Sequence, residues 1–100
     1  MQFIIIAHDY KDKNALKRRL AVREEHLKFA EESFKSGKWR FAAALLDNNG
    51  NMNGSVIACE YNSEEELKKE WLDKEIYVKG NVWEKVIITK ANFARHNFQN

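Results

Sequence analysis

The period of apolar and polar positions changes along the chain and divides it into six segments. "QFIIIAH" at 2–8 is short, rich in isoleucine and bounded by the polar run "DYKDKN", which predicts a first strand. Residues 13–36 contain neither Gly nor Pro and stop at Gly37, a residue suited to the position just past a helix end, which predicts one long helix. "KWRFAAALLD" at 38–47 and "SVIACEY" at 55–61 predict strands two and three, joined by the turn cluster "NNGNMNG". Ser63 with Glu66 three residues on has the spacing of a capping box, and Leu67 and Trp71 give the short helix behind it an inner face. "VWEKVIITK" at 82–90 predicts strand four.

The order β-α-β-β-α-β predicts an α+β, ferredoxin-like fold: a four-stranded antiparallel sheet with both helices on one face. A single domain is expected over residues 1–95, with 96–100 a frayed C-terminal tail. In strand one Phe3, Ile5 and Ala7 alternate with Ile4, Ile6 and His8; in strand four Val82, Val86 and Ile88 stand against Trp83 and Ile87. Both sheet faces are therefore apolar, while two helices cover only one. A second copy packed sheet to sheet is the simplest cover, so a homodimer forming a dimeric α/β barrel is expected.

Composition narrows the function classes. With 44% hydrophobic and 32% charged residues in a chain of 100, the sequence reads as globular rather than disordered. No apolar run approaches the roughly 18 residues that span a bilayer, so no membrane partner is expected. The N-terminus lacks a basic region and a cleavage site, and the single cysteine, Cys59, forms no internal disulfide; both point to a cytoplasmic protein. A net charge of +2 from 17 basic and 15 acidic side chains is too balanced to argue for a polyanionic partner.

Chemistry is concentrated on the long helix. At 100° per residue, Leu16, Leu20, Leu27 and Phe34 fall within about 20° of one line and read as its buried stripe. Arg23 lies about 40°, Arg19 about 80° and His26 about 100° round from that line, all on one side. Two readings compete: long side chains laid along the edge of a core with their heads in water, or the wall of a charged pocket. A histidine on such a shoulder suits proton transfer near neutral pH. "AAA" at 42–44 leaves volume above the sheet unless a bulky group such as Trp71 fills it. Asp73, Glu75 and Tyr77 alternate just before Gly80, as a polar turn or as part of the same pocket. No nucleophile elbow, phosphate-binding glycine loop or H-E-x-x-H run is present, and His8, His26, His96 and Cys59 have no metal-site spacing. Domains that recognise RNA share this element order, but strand three has no basic-Gly-aromatic run and carries Glu60, so no nucleic-acid partner is expected.

Over about residues 2–90 the chain resembles the YCII-related family. The resemblance rests on "AHD" at 7–9, "RL" at 19–20, "VREEHL" at 22–27, Gly37, "GSVIACEY" at 54–61 and "DKEIYVKGNVWEKV" at 73–86. It implies a dimeric ferredoxin-like protein whose site centres on a histidine and an acid. The expected catalytic set is His26 with Glu75 or Asp73, and the expected ligand-binding set is Arg23, Arg19, Asp9, Ser55 and Tyr77. Two departures stand out. Glu75-Ile76 replaces the usual Asp-Pro before the aromatic residue, and Ala43-Ala44 replaces a Gly-Pro in strand two. The resemblance further implies a lyase or isomerase acting by proton transfer on a small acidic or cyclic metabolite, halogenated in one assigned relative. No cofactor is needed for such chemistry. A ligand-binding or assembly module of the same fold is the alternative.

Overall fold

The computed structural model describes residues 1–94; the expected frayed tail lies outside the described residues. Its elements are strand β1 (Gln2–Asp9), helix α1 (Ala15–Lys35), strands β2 (Trp39–Leu46) and β3 (Met52–Glu60), helix α2 (Glu64–Glu70), helix α3 (Ile76–Lys79) and strand β4 (Trp83–Ala91). A 3-10 turn at Leu72–Lys74 joins α2 to α3. The sheet order is β2-β3-β1-β4 with every neighbour antiparallel, which is the ferredoxin-like arrangement. Among the described residues no helix is long and apolar enough to cross a membrane.

Local signals account for most boundaries. Helix α1 ends where Gly37 adopts φ +80° and donates its N–H to the Phe34 carbonyl, a conformation that costs other residues strain. At α2 the Ser63 hydroxyl accepts the Glu66 N–H at 3.0 Å, while the Glu66 carboxylate reaches back to the N–H of Asn62 rather than of Ser63. In the β2–β3 turn the Asp47 carboxylate accepts the N–H groups of Asn49 and Asn51.

Two single-residue bulges turn tryptophans inward. Asp9 pairs with Trp83 while His8 pairs with Lys85, so Glu84 is the extra residue; Cys59 pairs with Trp39 while Ala58 pairs with Phe41, so Arg40 is the extra residue. Trp83 was expected beside Ile87 by strict alternation. The bulge reverses its side and buries it in the core. That core, between the sheet and the helices, holds Phe3, Ile5, Ile57, Cys59, Leu67, Trp39, Trp71, Tyr77, Val82 and Trp83.

Helix α1 departs from the expected orientation. Leu20, Leu27 and Phe34 are 53%, 44% and 42% exposed, whereas Ala15, Arg19, His26, Ala30 and Ser33 are buried. The buried face is thus centred near His26, about 100° round from the leucine line. The tryptophans rising from the sheet supply the bulk that the helix was expected to bring, so small residues and the site residues occupy the inner face of α1. The opposite face of the sheet carries Ile4, Ile6, Val56, Phe41 and Ile87, of which Phe41 and Ile87 are exposed.

Candidate functional site

Strand β2 is an edge strand, and between it and α1 the sheet is open. Ala42 and Ala44 are exposed there, because Trp71 packs on Trp39 at 5.0 Å instead of covering them. The opening is a pocket of about 250 Å³ lined by Ala42–Ala44, Leu27, Phe34, Ile57, Met52 and Ala30, with Arg19, Arg23, His26, Ser55 and Tyr77 as its polar and aromatic residues. Among the described residues no carboxylate lines it.

At its base, Arg19 and Asp9 form a buried ion pair. One terminal nitrogen of Arg19 bonds both Asp9 oxygens, at 2.9 and 3.0 Å, and the other bonds the Ser55 hydroxyl at 2.8 Å. The Trp83 indole N–H also donates to Ser55, at 3.3 Å. Arg19 Nε is buried without a partner, and the guanidinium carbon lies 4.7 Å from the Tyr77 ring centroid, a cation–π contact. Burial holds the Asp9 carboxyl above the usual carboxylate range, outweighing the pull of Arg19. Burial likewise raises the Tyr77 phenol above its ordinary value.

His26 stands beside this pair. Its ring stacks on Tyr77 at 3.9 Å and 10°, with Trp83 edge-on at 6.2 Å. Glu75, at the N-terminal boundary of α3, is 2% exposed and places Oε1 2.8 Å from His26 Nδ1. The contact has the distance of an ion pair without the alignment of a hydrogen bond. The Trp71 indole N–H reaches the same oxygen at 3.4 Å.

The structure thus brings His26, Glu75, Arg19, Arg23, Ser55 and Tyr77 together. Asp73 is exposed in the 3-10 turn, and Asp9 lies behind Arg19, outside the pocket lining. Arg23, expected nearer the core than Arg19, is the exposed member of the two. A larger cleft of about 650 Å³ lies at the end of the sheet, lined by the loop residues Lys11, Lys13 and Asp47 and by Lys85 of β4, among others. It shares Asp9 with the site but contains neither His26 nor Glu75. Among the described residues no cluster of three or more His, Cys, Asp or Glu could hold a metal.

Sequence reasoning missed the two indole donors. The i,i+4 spacing of Trp71 and Glu75 was available as a signal; nothing local marks the bulge that delivers Trp83 to Ser55.

Among curated protein sequences none matches the chain. Among solved structures, the fold is similar to 5-chloro-2-hydroxyhydroquinone dehydrochlorinase (TftG) from Burkholderia phenoliruptrix AC1100, in complex with 2,5-dihydroxybenzoquinone. The identity is 20% and the TM-score 0.79, over 97% of this chain and 99% of that one. A hypothetical protein from Pyrococcus horikoshii matches over 97% of this chain and 99% of its own, with 11% identity and a TM-score of 0.48. The model of the YCII-related domain matches residues 1–92, and the chain belongs to that family.

Proposed function

We propose that the pocket between α1 and β2 is the active site of a small lyase-type acid–base enzyme acting on a compact cyclic anion. One observation carries the reading: a buried histidine whose Nδ1 lies 2.8 Å from a buried carboxylate, in a pocket lined by two arginines and, among the described residues, by no acid. In this reading Glu75 orients the imidazole and Nε2 serves the pocket as proton acceptor or donor. Arg19 is fixed by Asp9 and Ser55; together with Arg23 it favours an anion over a neutral ligand. Ala42 and Ala44 offer a small, weakly polar wall to a ring, while Tyr77, its ring covered by His26 and Arg19, backs the site. At about 250 Å³ the pocket falls below the usual range of roughly 300–1,000 Å³ for drug-sized ligands, so a single substituted ring is the expected size.

The reaction balances without a cofactor. A proton passes from a hydroxyl or carbon of the substrate to His26 Nε2, the freed electron pair moves through the ring, and a leaving group departs with its own bonding pair. The likeness to TftG favours chloride as that group. The test is chloride release from a panel of chlorinated hydroxyhydroquinones. Turnover is expected in the wild type and a loss of at least about 100-fold in His26→Ala with the circular dichroism spectrum unchanged. Retained turnover in His26→Ala refutes the mechanism. Saturable binding of the panel with no chemical change favours the second reading, a binding module, for which the unaligned Nδ1 contact speaks.

We also propose that two copies pack through the sheet face bearing Ile4, Ile6, Val56, Phe41 and Ile87. An apolar face of that kind is a cost in water that a symmetric partner removes.

A further inference from the structure

We propose that Ser55 is a fixed hydroxyl donor that binds a ligand oxyanion in this pocket, and that it selects ligands with an acceptor oxygen at the Arg19 end. The proposal rests on the pocket being a ligand site as described above. A serine hydroxyl has one proton to donate and two lone-pair positions that accept. Both acceptor positions are occupied by groups that can only donate, the Arg19 terminal nitrogen at 2.8 Å and the Trp83 indole at 3.3 Å. Among the described residues no acceptor takes the Ser55 proton. The residue is 4% exposed, and its remaining free surroundings are the pocket that it lines. Two donors into one oxygen therefore leave the O–H pointing at the cavity and polarise it, one of those donors being charged.

The neighbouring groups make this end of the pocket donor-only. Arg23, exposed on the pocket wall, has no ion-pair partner among the described residues. The Ser55 hydroxyl, a buried donor without an acceptor among the described residues, costs free energy that a ligand oxygen recovers. An amine or ammonium at this end would meet only donors and be rejected. A phenolate, enolate or carboxylate oxygen would be held. Backbone geometry keeps the hydroxyl in place: Gly54 approaches β1 so closely that an added Cβ would stand 2.6 Å from the Ala7 carbonyl oxygen, which fixes the strand immediately before Ser55.

The experiment is a spectrophotometric titration of 4-nitrophenol bound to the protein across pH. It reports both the phenolate dissociation constant and the ionisation of the bound phenol. In the wild type the bound phenol should ionise at lower pH than the free one. Ser55→Ala should weaken phenolate binding by roughly 10- to 100-fold, the range for a lost hydrogen bond to a charged group, and should raise the pH at which the bound phenol ionises. Ser55→Thr, which keeps the hydroxyl, should restore both. Ser55→Cys, similar in size with a weak thiol donor, gives the same comparison if the alanine variant does not fold. Equal phenolate affinity and equal ionisation of the bound phenol in wild type and the Ser55→Ala or Ser55→Cys variant overturn the assignment while leaving the pocket as a ligand site. Absence of saturable phenolate binding in the wild type overturns the assignment together with the reading of the pocket as an anion site.

Discussion

Removing either member of the Asp9–Arg19 pair should destabilise the protein, but with opposite behaviour towards acid. Both side chains are 3% exposed, so each variant leaves one buried group without its counter-charge. Breaking a buried pair in this way costs about 3–5 kcal/mol. With a urea slope near 1.5 kcal/mol per M, that is a fall of about 2–3 M in the unfolding midpoint. In Asp9→Asn the orphan is a guanidinium, which stays charged at any working pH, and only the wild type keeps a carboxyl whose raised pKa adds stability in acid, so the deficit relative to wild type should be no smaller, and somewhat larger, at pH 4.5 than at pH 7.5. In Arg19→Met the orphan is a carboxyl that burial already holds above its ordinary range. Losing Arg19 raises it further. An acid whose folded pKa exceeds its unfolded value stabilises the fold below the unfolded pKa, and that contribution is lost as pH rises through the folded one. The Arg19→Met deficit should therefore be full at pH 7.5 and shrink towards pH 4.5. Urea melts of wild type and both variants at the two pH values test this. A loss under about 1 kcal/mol in Asp9→Asn, the size of a surface pair, or an Arg19→Met deficit that does not shrink in acid, would refute the reasoning.

Two further outcomes are expected. Burial pushes the Cys59 thiol up to about 12, so at pH 8 a thiol reagent should leave the native chain unlabelled and react fully once denaturant unfolds it; labelling of the native chain at the rate of a free thiol would contradict this. The wild type should run in light scattering at twice the mass of one chain, and Ile6→Lys, which places a charge in the middle of the uncovered sheet face, should run as a monomer; a monomeric wild type at micromolar concentration removes the dimer.

The fold was legible because its evidence is local: strands separated by turn formers, a glycine at a helix end, a serine cap. The candidate site was legible in part: of the residues the sequence singled out, His26, Arg19, Arg23, Ser55 and Tyr77 line one pocket while Asp9 and Asp73 do not, and their depth was not legible. Helix phase correctly grouped Arg19, Arg23 and His26 on one shoulder of α1, yet it took Leu20, Leu27 and Phe34 for the buried side. Periodicity shows which residues share a face and not which face meets the sheet, and here the sheet's own tryptophans decide that. Choosing Glu75 over Asp73 needed the third dimension. The two stand two residues apart, and only the 3-10 turn before α3 sends one inward and leaves the other in water.

The two bulges bear on how this chain can tolerate changes of length. Glu84 and Arg40 are themselves exposed and touch no part of the pocket. Each is nevertheless the spare step that brings a tryptophan onto the inner side of its strand. Loss of either codon would keep every residue of the pocket and still dismantle its setting, because strand pairing in step would swing Trp83 away from Ser55, or Trp39 away from His26 and Trp71. Substitutions at these two positions are cheap, whereas deletions are not, so a comparison that scores only residue identity would rank as dispensable the two sites on which the geometry of the pocket depends.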